Sequence, residues 1–189
     1  AAPLMTTSKA PSLFGSPSPN HIAHAAPAAA PTEAHSLLDL MYDGFYLLFL
    51  LKGKHAPQDA EAFRERIKQF LTAFERGATR MNASAEDVYA CKYAFCATVD
   101  EAVLMSGFKV KEAWQRLPLQ VQFFGEQLAG EQFFEKLEEL RRQGAPRVQA
   151  MEVFHMCLLL GFQGKYLIEG SEKLGYLTAR LGDEIARIK

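Results

Sequence analysis

The amino-acid sequence predicts an all-α fold. Apolar residues recur at helical spacing through most of residues 36–189, no segment alternates apolar and polar residues for long, and capping residues stand where the periodic runs begin and end. Ser36 is placed to cap a helix that runs to about Lys52 before Gly53, and its Phe45–Leu51 stretch is apolar on all sides. Pro57 and Asp59 open a second helix. There Phe63, Ile67, Phe70, Leu71 and Phe74 fall on one stripe, with Gly77 and Asn82 as breaks. Ser84, with Asp87 three residues on, caps a third helix that reaches Met105. A loop with Lys109, Lys111 and Trp114 follows, then a short helix from Leu119 to about Gln127 behind Pro118. Gly130 precedes a helix stopped by Gly144. Pro146 begins one that runs through Gly161, and the last spans about Glu172 to Lys189.

Residues 1–35 differ in composition. They hold Pro3, Pro11, Pro17, Pro19, Pro27 and Pro31, are otherwise mostly Ala and Ser, and carry only Lys9 and Glu33 as charges. Too few large apolar side chains are present to offset the entropy of ordering, so this segment reads as a flexible tail ahead of an all-helical domain at 36–189. It has neither the basic start nor the apolar run of a secretory signal. The chain has 21 basic and 22 acidic residues for a formal charge of −1. That balance gives no chain-wide attraction to nucleic acid, and no nucleic-acid partner is expected. Three cysteines cannot build a disulfide framework, and a reducing compartment is expected. No apolar stretch is long enough to span a bilayer as a helix.

Reacting groups are scarce. No two histidines have the spacing that sets both imidazoles on one helix face, and His21 and His24 lie in the tail. Cys91, Cys96 and Cys157 read as small core residues. Gly161-Phe-Gln-Gly164-Lys165 lacks the earlier glycine, the Ser/Thr and the strand of a phosphate loop. No nucleophile–base–orienter set is visible, so no catalytic residue, metal site or cofactor is expected. Two carboxylates do stand out. Asp100 and Glu101 are the only charges from Tyr93 to Gly107, on a helix too apolar to have a broad solvated face. Such acids either accept buried hydrogen bonds or border a groove that recognises a partner.

Three blocks make the sequence recognisable: YACKYAFCATVDEAV at 89–103, FFGEQLAGEQFFEKL at 123–137 and MEVFHMCLLLGFQGKY at 151–166. In this order and spacing, behind SLLDLMYDGFYLL, they resemble the DotU/TssL family, also called IcmH-like. The resemblance covers about residues 36–189, with Phe124 standing where many relatives have His. It implies about seven helices in two small three-helix bundles arranged like a hook, and a non-enzymatic scaffold of the bacterial type VI secretion membrane complex. The implied partners are a large inner-membrane subunit and baseplate subunits. The implied location is the cytoplasmic face of the inner membrane, held there by a C-terminal anchor that this sequence does not include, so the chain itself is expected to be the soluble cytoplasmic portion. Asp100 and Glu101 match the family's acidic-groove motif, and Glu101 is expected to be the more exposed. No more than weak self-association is expected. The alternative is a helical regulatory module whose interior, rich in the 14 Phe, holds an apolar ligand; a stoichiometric bound lipid in native mass spectrometry would favour it.

A nonspecific protease is expected to remove residues 1–35 and spare the rest. If deleting them instead lowered the melting temperature by many degrees, they would belong to the fold.

Overall fold

A computed structural model describes residues 34–189, and these are helical with no strand among them. The helices are α1 (Leu37–Leu40), α2 (Tyr42–Lys52), α3 (Ala60–Arg80), α4 (Ala85–Leu104), α5 (Lys111–Arg116), α6 (Leu119–Phe124), α7 (Ala129–Gln143), α8 (Val148–Leu159), α9 (Tyr166–Glu169) and α10 (Ser171–Ile188), with a 3-10 turn at Ala145–Arg147. The flexible-tail reading lies outside the described residues except at Ala34 and His35. The all-α fold is as the sequence predicts. The additional helices are α5, the single turn α9, and a break at Met41 that divides the first predicted helix.

The caps explain the starts. Asp39 N–H donates to Ser36 Oγ, Ala62 N–H to Asp59 Oδ1 and Asp87 N–H to Ser84 Oγ, at 3.1, 2.9 and 3.1 Å. Gly77 is not a break. Helix α3 continues through it, and a Cβ there would lie 2.6 Å from Leu40 Cδ2, so the glycine admits α1 to the face of α3. The helix ends instead at Asn82, whose φ of 58° is left-handed.

Helix α4 is the central post. It touches α2, α3, α5, α6, α7 and α8. Cys91, Phe95, Cys96, Val99, Asp100 and Val103 on it are fully shielded from solvent. Helix α8 lies against α4 on one side and against α1, α7 and α10 on others. Phe133, Phe134, Phe154 and Phe162 stack into one cluster, with Phe133 4.8 Å from Phe154 and 4.3 Å from Phe162. Four of the 14 phenylalanines thus pack against one another. No helix among the described residues is long and apolar enough to cross a membrane.

Two glycines separate crowding from propensity. A Cβ on Gly44 would come within 2.5 Å of Phe70 Cζ and 2.8 Å of Phe95 Cε2. Gly44→Ala is expected to lower stability on balance, since overpacking costs about 1–3 kcal/mol against roughly 1 kcal/mol gained in helix propensity. Gly175, inside α10, has open space around it and gains only the propensity. Gly175→Ala should therefore raise the melting temperature that Gly44→Ala lowers.

Candidate docking site

Helix α6 begins at Pro118, which has no side chain able to cap it. Its first free N–H groups are served from another helix. Leu119 N–H donates to Asp100 Oδ1 at 2.8 Å and Gln120 N–H to Oδ2 at 3.0 Å. Trp114 Nε1 and Gln120 Nε2 add bonds of 2.8 and 3.0 Å to the same carboxylate. Gln120 Oε1 then accepts Ala129 N–H at 3.1 Å, carrying the network to the start of α7. Asp100 is 0% exposed. Burial pushes its carboxyl above the ordinary aspartate range, and the four donors pull it back. Phe63 and the Arg64 guanidinium, 4.3 Å from the ring centroid, enclose Trp114.

Glu101 is turned about 100° around the same helix and meets a different segment. Gln163 N–H and Gly164 N–H donate to its two oxygens at 2.9 and 2.8 Å. The turn is left-handed at Gly161 and Gly164, with φ of 105° and 52°. Any Cβ at Gly164 would lie 2.8 Å from Gly130 O. Lys165 N–H donates to that same Gly130 carbonyl at 2.8 Å. Burial raises the Glu101 carboxyl, while the two N–H groups and the nearby Lys52 charge oppose the rise. The blocks 89–103, 123–137 and 151–166 thus meet at one junction.

The two predicted site residues are not equivalent. Asp100 has no surface to offer a partner. Glu101, the more exposed, stands in the wall of an open depression of about 700 Å³. Leu51, Ala102 and Phe108 line it with Met105, which is 60% exposed. Lys52 and Lys54 line it as well. Among the charged side chains lining it, there are two lysines to one glutamate, so its wall is not acidic in balance. Lys52 reads in the sequence as the ordinary polar end of α2. Lys54 had no signal at all. It holds the left-handed position of a C-terminal cap, φ 63°, with His55 N–H donating to Leu50 O and Lys54 N–H to Leu51 O. Trp114 did carry a signal, since a buried indole N–H needs an acceptor and Asp100 is the acid of the neighbouring apolar helix.

Cys91, Cys96 and Cys157 are buried thiols, pushed up in pKa by desolvation. No group of metal-ligating side chains gathers among the described residues. Phe124 sits edge-on to Tyr89 and Tyr93 at 5.2 and 5.1 Å.

Asp100→Asn keeps the size but sets an amide nitrogen against a backbone or side-chain donor. It is expected to cost about 3 kcal/mol or more, given about 1.5–3 kcal/mol for each hydrogen bond to a charged acceptor. Glu101→Gln, half-buried with two such bonds, should cost less. Equal melting temperatures for the wild type and the Asp100 variant would show that the network does not hold the junction.

Comparison with known proteins places the family and the fold. The profile of a family described as type VI secretion system protein DotU matches residues 36–189. The cytoplasmic domain of TssL from Acinetobacter baumannii superposes with a TM-score of 0.80 at 50% identity, covering 82% of this chain and 100% of that one. SciP/TssL of the type VI secretion system from enteroaggregative Escherichia coli 042 gives a TM-score of 0.62 at 30% identity, over 68% of this chain and 74% of that one. TssL from Vibrio cholerae gives 0.68 at 25% identity, over 79% and 97%. No curated protein sequence matches. With the profile spanning the whole helical domain and the junction motifs in place, the chain belongs to the DotU family of type VI secretion system proteins.

Proposed function

We propose that residues 36–189 are a non-catalytic docking domain at the cytoplasmic face of the bacterial inner membrane. On this reading it joins the large inner-membrane subunit of a type VI secretion system to the baseplate. The observation that carries the reading is the open depression beside Glu101, built where the blocks 89–103 and 151–166 meet the end of α2. A surface fixed by buried hydrogen bonds on one side and left open on the other is preorganised, which lowers the cost of binding. Glu101 is its wall. Asp100 lies behind as a positioning residue that holds α5, α6 and the start of α7 in register. The description of the Acinetobacter relative as a cytoplasmic domain supports the location.

Gly107 gives a test that spares the fold. It lines the depression, and a Cβ on it would meet nothing within 4 Å. Gly107→Trp is expected to melt like the wild type and to weaken binding to the purified cytoplasmic part of the large inner-membrane subunit, or to a baseplate subunit, by about tenfold or more, the loss expected when one well-packed contact is blocked. Calorimetric titration against both reads this out. Unchanged affinity for both would sink the docking surface.

A further inference from the structure

We infer that the depression beside Glu101 receives a partner segment bearing acidic and apolar side chains together. This rests on the docking reading and adds the chemistry of the partner. Glu101 is the acid of the lining, and each of its oxygens already accepts a backbone N–H. Its charge is therefore directed at the 163–164 turn and not at the opening. The cations are held less firmly: Lys52 lies near enough for its charge to act on the Glu101 carboxyl, but it makes no hydrogen bond to it. Neither Lys52 nor Lys54 forms an ion pair among the described residues, and both line the depression. The lining segments 51–54 and 105–108 carry no acid, Lys52 and Lys54 being their charged residues.

The local positive balance stands on a chain whose formal charge is −1, so it belongs to this rim and not to the molecule as a whole. Lys54 sharpens the point. Its left-handed φ of 63° is a conformation that glycine adopts without the Cβ penalty, yet a lysine occupies it. Strain of this kind motivates a search for a role in the side chain. An exposed cation on the rim of an open depression supplies one.

The same surface is also apolar. Met105 is 60% exposed, and Leu51, Ala102 and Phe108 continue the contact area inward. A polyphosphate backbone would engage the lysines and leave Met105 and Phe108 without partners. An acidic peptide segment interrupted by Leu, Met or Phe uses both features. Its carboxylates meet Lys52 and Lys54 at the rim, and its apolar side chains fill the floor. The flexible thioether of Met105 suits such packing.

The test compares charge reversal with blocking, using the same two purified partner proteins. The double variant Lys52→Glu/Lys54→Glu changes two exposed side chains and should stay folded, melting somewhat below the wild type because Lys52 no longer favours the Glu101 carboxylate; Lys54→Glu alone should melt like the wild type. The double variant is expected to bind the engaging partner about tenfold or more weakly, and wild-type binding should weaken as salt is raised. Lys52→Gln/Lys54→Gln should bind with an affinity between those of the double variant and the wild type. If Gly107→Trp blocks binding while the charge-reversed variant and added salt change nothing, docking stands and the acidic-partner inference is overturned. If the wild type binds neither protein, both readings fall. That holds equally if it binds vesicles containing phosphatidylserine in a Lys52- and Lys54-dependent way, which would make the rim a lipid contact.

Discussion

Two neighbouring carboxylates on one buried helix organise this molecule. Asp100 gathers the start of α6, the Trp114 indole and, through Gln120, the start of α7. Glu101, one residue on, gathers the turn that leaves α8. Adjacent positions on a helix diverge by about 100°, so the two segments must approach α4 from different sides. An apolar replacement of Asp100 would leave backbone N–H groups without acceptors in a place water does not reach, at a cost comparable to a large share of a domain's net stability, while one of Glu101 would free two N–H groups at a half-buried turn. The acids are therefore assembly points first, and whatever the surface does depends on them.

That dependence explains why α4 is so apolar. A helix in contact with six others has no broad face left for solvent, and its polar residues survive where the chain delivers donors to them. Thr98 satisfies its hydroxyl on the Ala94 carbonyl within the helix. Asp87, near the outer end, pairs with Arg147, which also reaches Ser84 and Glu86. Lys92, further along, pairs with Glu75 of α3, and the stretch from Tyr93 to Val99 is packed and apolar apart from Thr98.

Much of the fold was legible because it is local. Ser36, Asp59 and Ser84 announce their helices by cap chemistry, and the stripe from Phe63 to Phe74 announces a buried face. What could not be read depends on contacts between distant residues. Gly77 reads as a breaker until Leu40 is seen against it. Helix α5 reads as a loop because its six residues show too little of a stripe, although burial of Trp114 fixes it. The same divide runs through the site. That Asp100 and Glu101 are unusual is evident from one helix, but which of them faces inward depends on where α6 and the 163–164 turn land. The charge balance of the depression depends on α2, fifty residues earlier in the chain by rough count, and no spacing rule links the two.

The structural demand on the acids also bears on what the surface can recognise. A carboxylate that satisfies two backbone N–H groups has its lone pairs largely committed, and a cationic partner would have to compete with bonds formed on folding. A lysine at an exposed helix end has no such commitment. Its charge is available at the cost of side-chain entropy alone. Where an anchored acid and two exposed bases line the same depression, the acid sets its shape and the bases set its preference. A motif that looks acidic in the sequence can in this way build a surface whose accessible charge is positive.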